Sequence, residues 1–160
     1  MPRPRRRDTP PPRTGPAEKD VLRGFLDHLR SAVAAKARDV PEPQVRTPGV
    51  PSGTSLLGLV RHLAHVERFT FLGEETADWP GTFRPRPGET VDSVLADYRD
   101  ACERADAVID ACTDLTQPVA RPGRAAPSMR WALVHMIEET GRHAGHADIL
   151  RELIDGSTGR

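Results

Sequence analysis

Six histidines are scattered through this chain, and two of them fall in patterns that chemistry can use. Glu139 and His143 stand four residues apart, the spacing that puts two side chains on one face of a helix. A carboxylate and an imidazole so placed can bind one ion as neighbours, or simply hydrogen-bond each other. His135 and His146 flank them, and His62 and His65 lie far upstream. Whether any of these meet depends on the elements that carry them.

Four helical stretches are predicted, and no strand pattern competes. The first spans about Glu18 to Arg38, with Leu22, Phe25, Leu26, Leu29 and Val33 at helical spacing and Pro41 and Pro43 behind it. Val40–Ser52, with four prolines, reads as an extended connection. The second helix starts at Thr54 or Ser55 as N-cap and runs to about Gly73. A turn-rich crossover, Asp78–Gly88, follows, the kind of long loop that borders a site. The third helix spans about Val91 to Cys112 with Thr90 as cap. After a loop at Gln117–Pro127, the fourth runs from Ser128 to about Ile154 and is closed by Gly156. Helices of this length in 160 residues imply an all-α four-helix bundle with a long crossover between helices two and three. Its core is expected to include Leu26, Leu29, Leu59, Leu63, Met136 and Leu150.

Helical wheels then sort the polar residues. In the fourth helix, with Trp131 at zero and ~100° per residue, Ala132, Met136, Leu150, Leu153 and Ile154 form the apolar stripe. Glu139 and His143 fall in its middle, and His135 and His146 on the same side. Glu138, Arg142, Asp148 and Glu152 take the wet face. An ionised Glu in an apolar stripe is costly unless paired or bound to a cation. In the second helix His62 lies at the edge of the buried face, whereas His65 points away. His62, Glu139 and His143 therefore form a His₂Glu set with an open fourth position. That is catalytic zinc stoichiometry, with nickel or iron as alternatives.

Other chemistries are disfavoured. There is no HExxH, no phosphate-binding glycine loop, and no Glu-x-x-His on two helices as di-iron bundles require. Cys102 and Cys112 sit about 15 Å apart along one helix, too far for a disulfide, and read as small apolar side chains. Lys+Arg and Asp+Glu are both 23, so the whole chain offers no electrostatic case for nucleic acid or an anionic membrane. No apolar run reaches the ~20 residues of a membrane helix, and no signal-peptide pattern opens the chain, so the expected compartment is the cytoplasm. Residues 1–16, with five Arg, six Pro and one Asp, read as a disordered basic tail ahead of a bundle at 17–160.

The segments SLLGLVRHLAHVERF, residues 55–69, and MRWALVHMIEETGRHAGHADILRELIDG, residues 129–156, resemble the DinB-like superfamily. The resemblance is to its actinobacterial mycothiol S-transferase-like branch. It implies a bundle that binds a divalent metal through one residue on the second helix and two on the fourth, here His62, Glu139 and His143. It further implies mycothiol as thiol cosubstrate, a small electrophile as second substrate, and a homodimer as the assembly to test. His146 is the candidate catalytic residue, with His135 beside it as an orienting or proton-moving group. Arg84, Arg86, Arg121 and Arg124 in the two loops are candidates to grip a carboxylate. The rival reading is a non-enzymatic metal-binding bundle with a stress-response or interaction role.

Overall fold

The computed structural model describes residues 9–120 and 125–159. The first eight residues of the basic tail, and Arg121 and Arg124, lie outside the described residues. Among the described residues five α-helices form: α1 (Glu18–Ala37), α2 (Leu56–Glu67), α3 (Trp79–Thr82), α4 (Val91–Ala111) and α5 (Met129–Asp155). No strand appears among the described residues, so the fold is an all-α bundle.

The helix ends follow from local side-chain chemistry. Ser55 Oγ accepts from the Gly58 amide, Thr90 and Ser93 form a reciprocal capping box, and Ser128 accepts from Trp131. Gly156 closes α5 at φ 72°, a left-handed position that glycine fills without steric cost. Asp39, also left-handed at φ 62°, turns the chain out of α1 ahead of the prolines. The second helix changes character at Arg68. Residues Arg68–Leu72 form a π-helical turn, and the chain then leaves through Gly73 at φ 68°. Residues 41–47 do not run extended as expected. Prolines preset turn geometry there, Val45 N bonds Pro41 O at 3.1 Å, and Val45 is buried in the core.

Ion pairs fix the helix directions. Glu18 meets Arg130 at 2.6 Å and Lys36 meets Asp148 at 2.9 Å, so α1 and α5 run side by side in the same direction. Arg61 pairs with Glu89 and Arg68 with Asp97, so α2 and α4 also advance together. Lys19 Nζ, near the start of α1, donates to the carbonyls of Ile109 and Cys112 at the end of α4, so α1 opposes α4. Two parallel neighbours, α2 and α4, cannot be joined by a tight turn. The crossover between them must return along the bundle, and α3 sits within it.

α2 is wrapped on nearly all sides: every residue from Leu56 to Glu67 is buried except His65. The expected core residues Leu26, Leu59, Leu63, Met136 and Leu150 are buried, and Leu29 packs half-buried against them. Two expectations on the outer helices need correction. Phe25, Trp131 and Leu153 are exposed. The buried stripe of α5 keeps Ala132, Met136 and Leu150 but runs through Leu133, Thr140, His143, Ala144 and Ala147 rather than towards Leu153. Leu153 pulls the sequence-derived stripe to one side, because it is apolar yet faces solvent.

Candidate metal centre

The corrected stripe changes how the polar residues sit. His143 is in it and buried, whereas Glu139 stands at its edge with its side chain 19% exposed. From α2, His62 points inward and is 6% exposed. The three meet. Glu139 Oε1 lies 3.3 Å from His62 Nε2 and 3.1 Å from His143 Nε2, and one ligand atom from each residue fits within 4.8 Å of the others. The two imidazoles stand edge to face, with centroids 5.0 Å apart.

The crossover closes over them. Phe83 stacks on His62 at 3.8 Å and 14°, and meets His143 edge-on at 5.7 Å. Trp79 approaches His62 at 6.1 Å. Thr82, 2% exposed, sets its hydroxyl 2.7 Å from His62 Nδ1. Asp78 caps this short turn by accepting from the Gly81 amide at 3.0 Å. Arg61 reaches from α2 to donate to the carbonyls of Gly81 and Thr82, and it pairs with Glu89. Gly58 is the seat: a Cβ there would lie 2.1 Å from Phe83 O, so only glycine lets the crossover come this close.

Electrostatics keep the imidazoles neutral. Burial lowers the pKa of His62 to about 4, and burial likewise lowers that of His143. Burial works to raise Glu139, but its bonds to His62 and His143 outweigh that and hold it below the usual carboxylate range. At neutral pH the cluster is therefore one carboxylate and two neutral rings, with a net charge of −1. Two imidazole nitrogens and a carboxylate oxygen converging on one point suit a divalent cation of the zinc, nickel or iron type.

The other sequence candidates separate. His146 Nδ1 sits 3.3 Å from His143 Nδ1, behind the ring rather than at the converging atoms. His135 is drawn elsewhere: it stacks on Trp131 and lies 3.5 Å from Glu138. His65 is partly exposed on α2 and takes no part in the cluster. Arg84 and Arg86 are exposed on the crossover. The sequence reading missed Thr82, Phe83, Gly58 and Arg61. The one signal available was the turn-rich crossover itself, whose Asp-x-x-Gly spacing marks a capped turn.

Beside His146 lies a cleft of about 280 Å³, lined by Val50, Ser52, Thr54, Ile149 and Leu150. Among the described residues no helix is long and apolar enough to cross a membrane.

Fold and cluster together define an all-α bundle with a three-residue candidate metal site between α2 and α5. The family model for Mycothiol-S-transferase matches residues 21–156, all but the chain's ends, and the chain belongs to that family. No curated protein matches it.

Proposed function

We propose that this protein is a divalent-metal-dependent thiol S-transferase that uses mycothiol to attack a small electrophile. The observation that carries this reading is a single carboxylate oxygen within 3.3 Å of two imidazole nitrogens inside the bundle. Glu139 supplies the negative charge that a cation would offset, and His62 and His143 supply neutral nitrogens. Three protein ligands leave a position for the thiol. A divalent cation held there would favour the thiolate form of a bound thiol, because its charge offsets that of sulfur.

The chain's own residues do the rest. Phe83 and Trp79 cover His62 and keep water away from that side of the centre. His146 steadies His143 by accepting from its outer nitrogen, Nδ1, which leaves Nε2 free to face the centre. The sulfur lone pair forms a C–S bond to the electrophilic carbon. The displaced electron pair leaves with the leaving group or moves into an adjoining π-system. The cleft beside His146 is lined mostly by Val50, Ile149 and Leu150, which suits the apolar body of an electrophile better than a polyhydroxylated thiol.

The test is conjugation of mycothiol to a fluorogenic alkylating bimane, with the protein stripped of metal and then reloaded with zinc, nickel or iron. Restored turnover in at least one loaded form supports the reading. Turnover equal in the stripped and all reloaded forms, or absent in all of them, refutes it.

A further inference from the structure

We infer that Thr82, on the crossover, is a positioning residue whose hydroxyl pairs with Nδ1 of His62 in either tautomer, and so holds Nε2 towards the centre when it must give up its proton to bind metal. The inference rests on the metal reading above. It starts from counting protons. The Thr82 hydroxyl touches two partners, Trp79 O at 2.6 Å and His62 Nδ1 at 2.7 Å, but it has one proton to give. If that proton goes to Trp79 O, the oxygen can only accept at His62. Nδ1 then carries the ring proton, and the bare Nε2 lone pair faces Glu139 Oε1, itself an acceptor. Two acceptors 3.3 Å apart need a cation between them. If the hydroxyl instead turns to donate to Nδ1, the ring proton sits on Nε2 and bonds Glu139 directly. That is the satisfied arrangement without metal.

A threonine can serve both states because its hydroxyl both donates and accepts. A buried group with a fixed role could serve only one. At 2% exposure, water does not readily substitute for it. The residue is held in place from three sides. Asp78 caps its turn, Arg61 binds its own carbonyl at 2.9 Å, and Gly58 admits the next residue's backbone. Partners that fix the outer nitrogen of a ligating histidine change metal affinity by about 10–100-fold when removed.

Thr82→Val keeps the shape and removes the hydroxyl, whereas Thr82→Ser keeps the hydroxyl. Zinc affinity, measured by competition with a chromophoric chelator, is expected to fall ~10–100-fold in Thr82→Val and to stay within threefold or so of wild type in Thr82→Ser. A role confined to packing predicts the reverse order, since Val conserves volume better than Ser. On the wild-type protein, ¹⁵N shifts should place the His62 proton on Nε2 without zinc and on Nδ1 with it. That readout stands even if Thr82→Val fails to fold. Equal zinc affinity in wild type and Thr82→Val, or zinc bound through His62 Nδ1, overturns the role of Thr82 and leaves the metal reading intact. Wild-type protein that binds none of zinc, nickel and iron overturns the metal reading itself.

Discussion

Two buried polar clusters share α2, and they are built on opposite plans. Around Glu67, Arg30 makes a two-pronged ion pair, Nε to Oε1 and Nη2 to Oε2, both at 2.7 Å. Its remaining nitrogen reaches Asp27 and Asp106. Glu67 works against the burial of Arg30 and keeps the guanidinium charged. This cluster brings its own cation. Five residues earlier on the same helix, His62 meets Glu139 and His143, and the described residues in contact with that carboxylate supply no guanidinium or ammonium. A polar cluster that closes on itself serves the fold. One that converges lone pairs without a cation is shaped for something brought from outside.

That contrast can be broken or sharpened by experiment. The largest effect should come from the closed cluster. Glu67→Ala leaves the Nε and Nη2 of buried Arg30 without their carboxylate and should cost about 3–5 kcal/mol of unfolding free energy, read by urea denaturation. A loss under about 1 kcal/mol would mean the pair relaxes into water and is not the fold's internal cation.

Next comes the open cluster. Glu139→Gln removes the only anionic member of the candidate ligand set, so zinc affinity should drop by more than the ~10–100-fold of an outer-shell loss. The stability of the metal-free protein should hold or fall slightly, because the bonds to His62 and His143 favour the carboxylate in the fold. Glu138→Gln, one residue away and paired with Arg142 in solvent, should leave zinc affinity unchanged. Equal affinities in the two variants would sink the ligand set.

Gly58→Ala tests the seat of the crossover. Its Cβ meets backbone rather than a flexible side chain, so the crossover must shift. A cost of about 1–3 kcal/mol is expected, together with weaker zinc binding, because Thr82 and Phe83 move with the backbone. Loss of stability with zinc binding untouched would separate the crossover from the centre.

The last effect is in pH. His62 and His143 have lowered pKa values in the fold, so the unfolded chain takes up their protons first as pH falls. Stability of the metal-free protein should thus be full above about pH 6.5, the unfolded value, and decline as pH falls towards 4. His62→Gln should flatten that decline. A melting temperature that is level between pH 6.5 and 4 in wild type would contradict the burial of the two rings.

Much of this was legible in the residues, and the misses have physical causes. Ser55, Thr90, Ser128 and Gly156 marked helix ends because capping is a local interaction that needs only a few neighbours. His62, Glu139 and His143 stood out because polar groups on an apolar face carry a cost visible in one dimension. What remained hidden depends on three. The π-turn at Arg68–Leu72 has the composition of ordinary helix. Trp79–Thr82 is four residues long, too short for periodicity to register. Thr82 looks like any loop threonine until the crossover folds back onto α2. The wheel of α5 was turned from its true centre because Leu153 is apolar yet faces solvent. That error made Glu139 seem buried in mid-stripe when it stands at the edge.

The pairing of α1 with α5 has a consequence for how the chain reaches this state. Glu18 and Arg130 are 112 residues apart in sequence, and the carbonyl of Lys36 and Arg151 are 115 apart. Contacts of such long range slow folding, because loop-closure entropy is lost before they form. During synthesis α1, α2 and α4 emerge first, and α2 can pack on α4, but α1 must wait for α5, its main neighbour. Two of the three centre residues arrive on that same last helix. The nascent chain therefore has no complete candidate metal centre until α5 has left the ribosome, and a cation held there would be captured at that docking step rather than before it.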